Sequence, residues 1–139
     1  MRKGKAIRPV AAGVLAVALA GCGSLPDAGG SGASSSDAAA AVVQQRAEAR
    51  WALVLKGDNV AAYQYLSPGS KAAFPLEQYI LQAPRHFRAA TVTGVQCGSD
   101  RCDVKLDVTY DSKLVKGVTT PLREIWLLDG GQWWYVHRV

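Results

Sequence analysis

From about Asp37 onward the hydrophobic positions fall into two rhythms. In DAAAAVVQQRAEARWALVLKGD (37–58) apolar residues return at Val43, Ala47, Trp51 and Val54. This is the three-and-four spacing of a helix with one buried face, with an acidic start at Asp37 and a stop at Gly57. Asp58 is placed to cap a second, short helix over NVAAYQYL, which ends before Ser67, Pro68 and Gly69. FPLEQYILQAP carries Pro75 in a first-turn position and predicts a third helix. It stops at Ala83, because a residue that precedes proline is pushed out of the helical region.

The second half alternates with period two. In CDVKLDVTY, Cys102, Val104, Leu106, Val108 and Tyr110 share one face, and Asp103, Lys105, Asp107 and Thr109 the other. That is the pattern of a strand buried on one side and wet on the other. ATVTGVQC precedes it, TPLREIWLLD and QWWYVHRV follow, and Asp129-Gly130-Gly131 predicts a hairpin turn between the last two. The fold class expected is therefore α+β, with about three N-terminal helices packed on one face of a four-stranded antiparallel sheet. The final strand is apolar on both sides, Trp133, Tyr135 and His137 against Trp134 and Val136. Only one set can face the helices. The other needs cover from the chain's own loops, a ligand cavity or a second copy in a homodimer through the sheet.

Before Asp37 neither rhythm is present. MRKGKAIR is a short positive segment, PVAAGVLAVALA an apolar run too short to cross a bilayer comfortably, and small residues follow, the layout of a secretory signal. LAGC at Leu19 to Cys22 resembles the bacterial lipobox. That resemblance implies a signal peptide over 1–21, cleavage before Cys22, and lipid on its sulfur. The protein would be held to the membrane with no transmembrane helix, since two or more acyl chains anchor firmly where one does not. Gly23 in place of aspartate implies, in a Gram-negative host, the outer membrane facing the periplasm. Residues 22–36, rich in glycine and serine, read as a lipidated start and flexible tether, and 37–139 as the folded domain.

Composition changes this picture in one respect. The 139 residues are 49% hydrophobic, enough for one domain with its own core. The net charge of +5 is mostly a property of Arg2, Lys3, Lys5 and Arg8, and the remainder of the chain is close to neutral. Nucleic acid is excluded as a partner on that ground. GGSGAS lacks the preceding strand and following lysine of a phosphate loop, so no nucleotide cofactor is expected.

Cys97 and Cys102 flank Gly98 to Arg101, a four-residue turn between two strands, and face each other in a disulfide expected of an exported protein. His86 and His137 do not stand at zinc-site spacing from them, so no metal site is expected. No nucleophile elbow surrounds any serine.

The order of elements, with RWALVLKGD, AAYQYLSPGSKAAF, LEQY, the strand cysteines and EIWLLDGGQWWYV, resembles the nuclear transport factor 2-like (cystatin-like) domains of small bacterial lipoproteins. The resemblance covers 37–139 and implies a curved sheet wrapped on a long helix as a cone, whose mouth often holds a small apolar ligand. Trp51, Tyr63, Tyr79, Glu124 and Trp126 are the candidate pocket residues. The first reading is a non-enzymatic envelope lipoprotein that binds a small apolar ligand, a peptide or an envelope protein. Glu124 shares a strand face with Leu122 and Trp126. It would act as the base if the cone were instead an isomerase or dehydratase, and would otherwise pair with Arg88, Arg123 or a backbone amide. A third reading is a structural component of an envelope assembly. His137, near the C-terminal end, is expected to be exposed. Pro84 to Arg88 form a small basic cluster that reads as a solvated loop or as a contact for anionic headgroups.

Overall fold

The computed structural model describes residues 34–83 and 86–138. The expected signal segment, Cys22 and most of the expected tether lie outside them. The element order is α1 (Ser35–Lys56), α2 (Asn59–Tyr63), α3 (Pro68–Ala73), α4 (Leu76–Gln82), then β1 (Phe87–Cys97), β2 (Arg101–Tyr110), β3 (Val118–Asp129) and β4 (Gln132–Val136).

Helix α1 begins two residues before the expected Asp37, because Ser34 and Asp37 form a reciprocal cap. The Ser34 Oγ accepts from the Asp37 N–H at 3.3 Å, and the Asp37 carboxylate accepts from the Ser34 N–H at 3.1 Å. The folded part therefore takes in the last residues of the segment assigned to the tether. At the other end Gly57 adopts φ 77°, the left-handed geometry that lets its N–H close back on Leu53 and Val54. The buried stripe is Val43, Ala47, Arg50, Trp51 and Val54. It matches the sequence pattern except for an arginine among the apolar residues.

There are four helices among the described residues where the sequence pattern suggested three. Ser67-Pro68-Gly69 ends the second helical segment as expected, but it also starts a new one. The Ser67 Oγ accepts from the Ser70 N–H at 3.1 Å, and Pro68 occupies the first turn, where its missing N–H costs nothing. Residues 64–66 drop out of the second helix. Tyr65 and Ser67 then clasp the free edge of β4, the Tyr135 N–H donating to the Tyr65 carbonyl and the Ser67 N–H to the Tyr135 carbonyl, each at 2.8 Å. The chain's own segment thus covers the edge of the two-sided last strand, an arrangement that blocks edge-to-edge pairing.

The four strands form one antiparallel meander in the order β1-β2-β3-β4. Two left-handed glycines, Gly130 at φ 58° and Gly131 at φ 76°, make the tight turn between β3 and β4. Pro121 in β3 lies opposite Asp107, beyond the reach of β4, whose pairs run from Ile125 to Asp129. A proline is tolerated where one side of the strand is open. Cys97 and Cys102 are partners in the β1–β2 register and are joined as a disulfide, with Cα atoms 4.0 Å apart. Closing so short a loop is worth about 2 kcal/mol in the chain-entropy picture.

The core lies between α1 and one face of the sheet. Cys102, Val104, Leu106, Val108 and Trp126 are essentially inaccessible there, packed with Val43, Ala47, Trp51 and Val54. A smaller cluster of Tyr63, Leu66 and Tyr79 holds the short helices against Tyr135. The inward face of β2 is the one the alternation predicted.

Candidate functional site

Glu124 sits on the α1-facing side of β3 and is buried. Its partner is neither Arg88 nor Arg123 but Arg50, from the apolar stripe of α1. The Arg50 Nη1 donates to Oε1 at 2.8 Å. The same oxygen accepts from the Trp51 indole N–H at 2.9 Å, and Oε2 accepts from the Trp126 indole N–H at 3.2 Å. Arg88 instead pairs with Asp111 at the domain surface. Both carboxylate oxygens of Glu124 are thus engaged by donors from two elements, and the guanidinium lies 3.7 Å from the centre of the Tyr135 ring. Burial works against the Arg50 charge, but Glu124 and the tyrosines Tyr135 and Tyr79 outweigh it and raise its pKa further. The Arg50 guanidinium therefore keeps its charge.

Beside this pair the space between helices and sheet is partly hollow, with a cavity of about 270 Å³. That is just under the ~300 Å³ at which ligand pockets usually begin. Its lining includes Trp51, Val54, Tyr79, Phe87, Leu122, Tyr135 and His137, with Arg123 and Arg138. Of the five candidate pocket residues, Trp51, Tyr79 and Glu124 line the cavity. Trp126 lies behind Glu124 in the core and orients it rather than facing the hollow. Tyr63 belongs to the smaller cluster, its hydroxyl donating to the Phe74 carbonyl at 2.8 Å. Sequence reasoning missed Arg50, Val54 and Phe87 as lining residues and named Tyr135 and His137 only within the two-sided last strand, one face of which a ligand cavity could cover. For Arg50 a signal existed, since position 50 falls three residues after Ala47 on the buried stripe.

His137, expected to be exposed, is half-buried. Its ring meets Phe74 and Tyr79 edge-on, with centroids 5.0 and 5.3 Å away, and its backbone N–H donates to the Ser70 Oγ at 3.0 Å. Its Nδ1 is buried with no partner among the described residues. Burial, and then the Arg50 charge, hold its pKa below the ordinary 6.5. The folded state therefore takes up this proton later than the unfolded chain does. That contribution to stability is fully present above pH 6.5 and is lost as the pH falls toward the lowered value. Urea midpoints measured across that window should fall with pH in the parent and lose this slope in His137→Gln. An unchanged slope in the variant would remove His137 as its source. Tyr135 shows the opposite case. Burial foremost pushes its pKa up to about 12, so its contribution is lost only as the pH climbs from 10 through that value.

No protein-family model matches this chain, and no curated protein does. Among solved structures it is similar to a crystal structure from Campylobacter jejuni described as a "Putative NTF2-like transpeptidase". The match covers 69% of this chain and 98% of that one, at 9% identity and a TM-score of 0.53. At that identity the likeness concerns the fold alone, and the fold is NTF2-like, α+β with four helices packed on an open four-stranded antiparallel sheet.

Proposed function

We propose that this chain is a lipid-anchored envelope protein whose NTF2-like domain binds a small, largely apolar ligand in the cavity beside Glu124. The observation that carries the binding reading is the hollow itself, lined by Trp51, Val54, Phe87 and Leu122, with the buried Arg50–Glu124 pair, Arg123 and Arg138 also on its lining. The apolar part of that lining shields an apolar guest from water. The anchor is read from the positive segment, the apolar run and Leu19 to Cys22.

Binding is favoured over an isomerase or dehydratase for a geometric reason. A general base needs a lone pair aimed at the substrate, and three of the roughly four lone-pair sites of the Glu124 carboxylate already accept from Arg50, Trp51 and Trp126. The carboxylate positions the walls. The neighbour's description as a transpeptidase is not carried over. Acyl transfer of that kind runs through an activated serine or thiol, whereas both described cysteines are bonded to each other and Ser70 is tied to the His137 backbone.

Leu122 lines the cavity and is partly exposed, so Leu122→Trp should fill the hollow while the domain stays folded. Gently extracted parent protein should carry a small molecule visible by native mass spectrometry and bind anilinonaphthalene sulfonate, with energy transfer from Trp51. The variant should do neither. Equal dye binding by both would remove the cavity as the site. The mass of the N-terminal peptide reads the anchor separately, as a diacylglyceryl group on Cys22.

A further inference from the structure

The loop between β2 and β3 presents to water two apolar side chains that its own hydrogen bonds keep there. Leu114 is 95% exposed and Val115 56%. Single exposed leucines are ordinary, but this pair is held in place. The Ser112 Oγ accepts from the Leu114 and Val115 N–H groups at 3.3 and 2.9 Å, and the Ser112 N–H donates to the Val115 carbonyl at 2.8 Å. The Asp111 carboxylate accepts from Gly117, left-handed at φ 67°, and from Arg88. A collapse of Leu114 onto the domain would break that set.

The charges around this apex are mostly positive. Lys113 and Lys116 bracket the apolar pair directly, and Arg88 stands beside it. Asp111 offsets one of these charges, pairing with Arg88 at 2.6 Å and standing 3.9 Å from the Lys116 Nζ. An apolar tip between lysines whose stems can lie along acyl chains while their ammonium groups stay in water matches a negatively charged bilayer surface, where apolar burial and headgroup attraction act together.

We infer that the Lys113–Lys116 apex is a membrane-docking tip that inserts Leu114 and Val115 at the surface of an anionic bilayer. It rests on the envelope location proposed above for its setting only. Covalent reach permits both contacts. Arg46 of α1 donates to Trp133 near the disulfide end, and Trp51 meets Phe87 at the end where Phe87 pairs with Tyr110, so the apex lies toward the C-terminal end of α1. Helix α1 is about 33 Å long, and the chain from Cys22 to Ser34 can extend about 40 Å. An anchored lipid and the apex can therefore meet the same bilayer. The anchor keeps the local lipid concentration high, so even a weak tip is occupied. Phe87 lines both the cavity and the basic basin beside the apex. Docking therefore brings a wall of the binding site next to the lipid phase.

The test places an environment-sensitive nitrobenzoxadiazole label at Leu114→Cys in the mature protein mixed with vesicles. With phosphatidylglycerol in the vesicles the emission should shift to the blue and rise, and with phosphatidylcholine alone it should stay as in water. A label at Gln44→Cys, exposed on α1, should stay as in water on both. Changing Lys113 or Lys116 to Glu in the Leu114→Cys background should weaken the response at least about fivefold each. Thermal melts of each variant should match the parent, since Lys113, Leu114 and Lys116 are exposed. A Leu114 label that stays in water on anionic vesicles, or responds equally on both kinds, overturns the proposal. Capture of an acidic protein by crosslinking at Leu114, without a lipid response, overturns it in favour of that partner. Acylation of Cys22 is read independently by mass, so loss of the anchor and loss of the tip give different results.

Discussion

Replacing Glu124 with leucine is expected to destabilise the domain by about 3–5 kcal/mol, the cost of stranding one member of a buried ion pair. The Arg50 guanidinium would keep its charge in the core, 5% exposed, with no carboxylate to answer it. The indole N–H groups of Trp51 and Trp126 would lose their acceptor at the same time. Glu124→Gln should cost less, since its amide oxygen still accepts from one of these donors. The diagnostic variant is the double change Arg50→Met with Glu124→Leu. It removes both charges together and should recover a large part of the loss, because a well-packed apolar pair of similar volume is often as stable as a buried ion pair. Denaturant titration followed by tryptophan fluorescence measures all three. A double variant no more stable than Glu124→Leu alone would show that Arg50 is not the main opponent of the lost carboxylate. The surface pair gives the contrast. Arg88 is 69% exposed in its side chain, and Arg88→Ala should change stability by no more than about 1 kcal/mol.

Trp126→Ala is expected to have an effect of the same size, about 3–5 kcal/mol, for a different reason. The indole is wholly inaccessible, lies opposite Cys102 in the β2–β3 register and meets the Tyr135 ring at 6.0 Å. Its removal leaves a hole that the sheet, pinned by the adjacent disulfide, can close only in part. Trp126→Phe separates two contributions, keeping most of the ring while deleting the N–H that holds Oε2 of Glu124. The phenylalanine variant should lose about 1.5–3 kcal/mol, the range for a hydrogen bond to a charged group. Equal losses in the two variants would mean that the hydrogen bond, and not the volume, is what Trp126 contributes. Because Trp126 and Glu124 touch, the losses from their single changes should not add in the double variant.

Much of the architecture was legible in the chain because it is written in short-range patterns. The period of β2 assigns Cys102, Val104, Leu106 and Val108 to the core without reference to any other element. The four residues between Cys97 and Cys102 are enough to place the disulfide across a hairpin. The same locality explains the miscounted helix, since Ser67-Pro68-Gly69 carries a stop signal and a start signal in the same three residues, and both act.

What the sequence by itself determined, then, was a helical first half, a four-stranded second half and the inward faces of α1 and β2, because side-chain periodicity and turn chemistry act within a few residues. The tertiary structure alone decided which inward groups meet. Arg50 and Glu124 lie 74 positions apart, and their pairing depends on how far α1 slides along the sheet before its side chains interlock. The depth of His137 and the space left beside the ion pair follow from that same docking. A hollow is the remainder after every chain segment has packed, and no stretch of sequence encodes it locally.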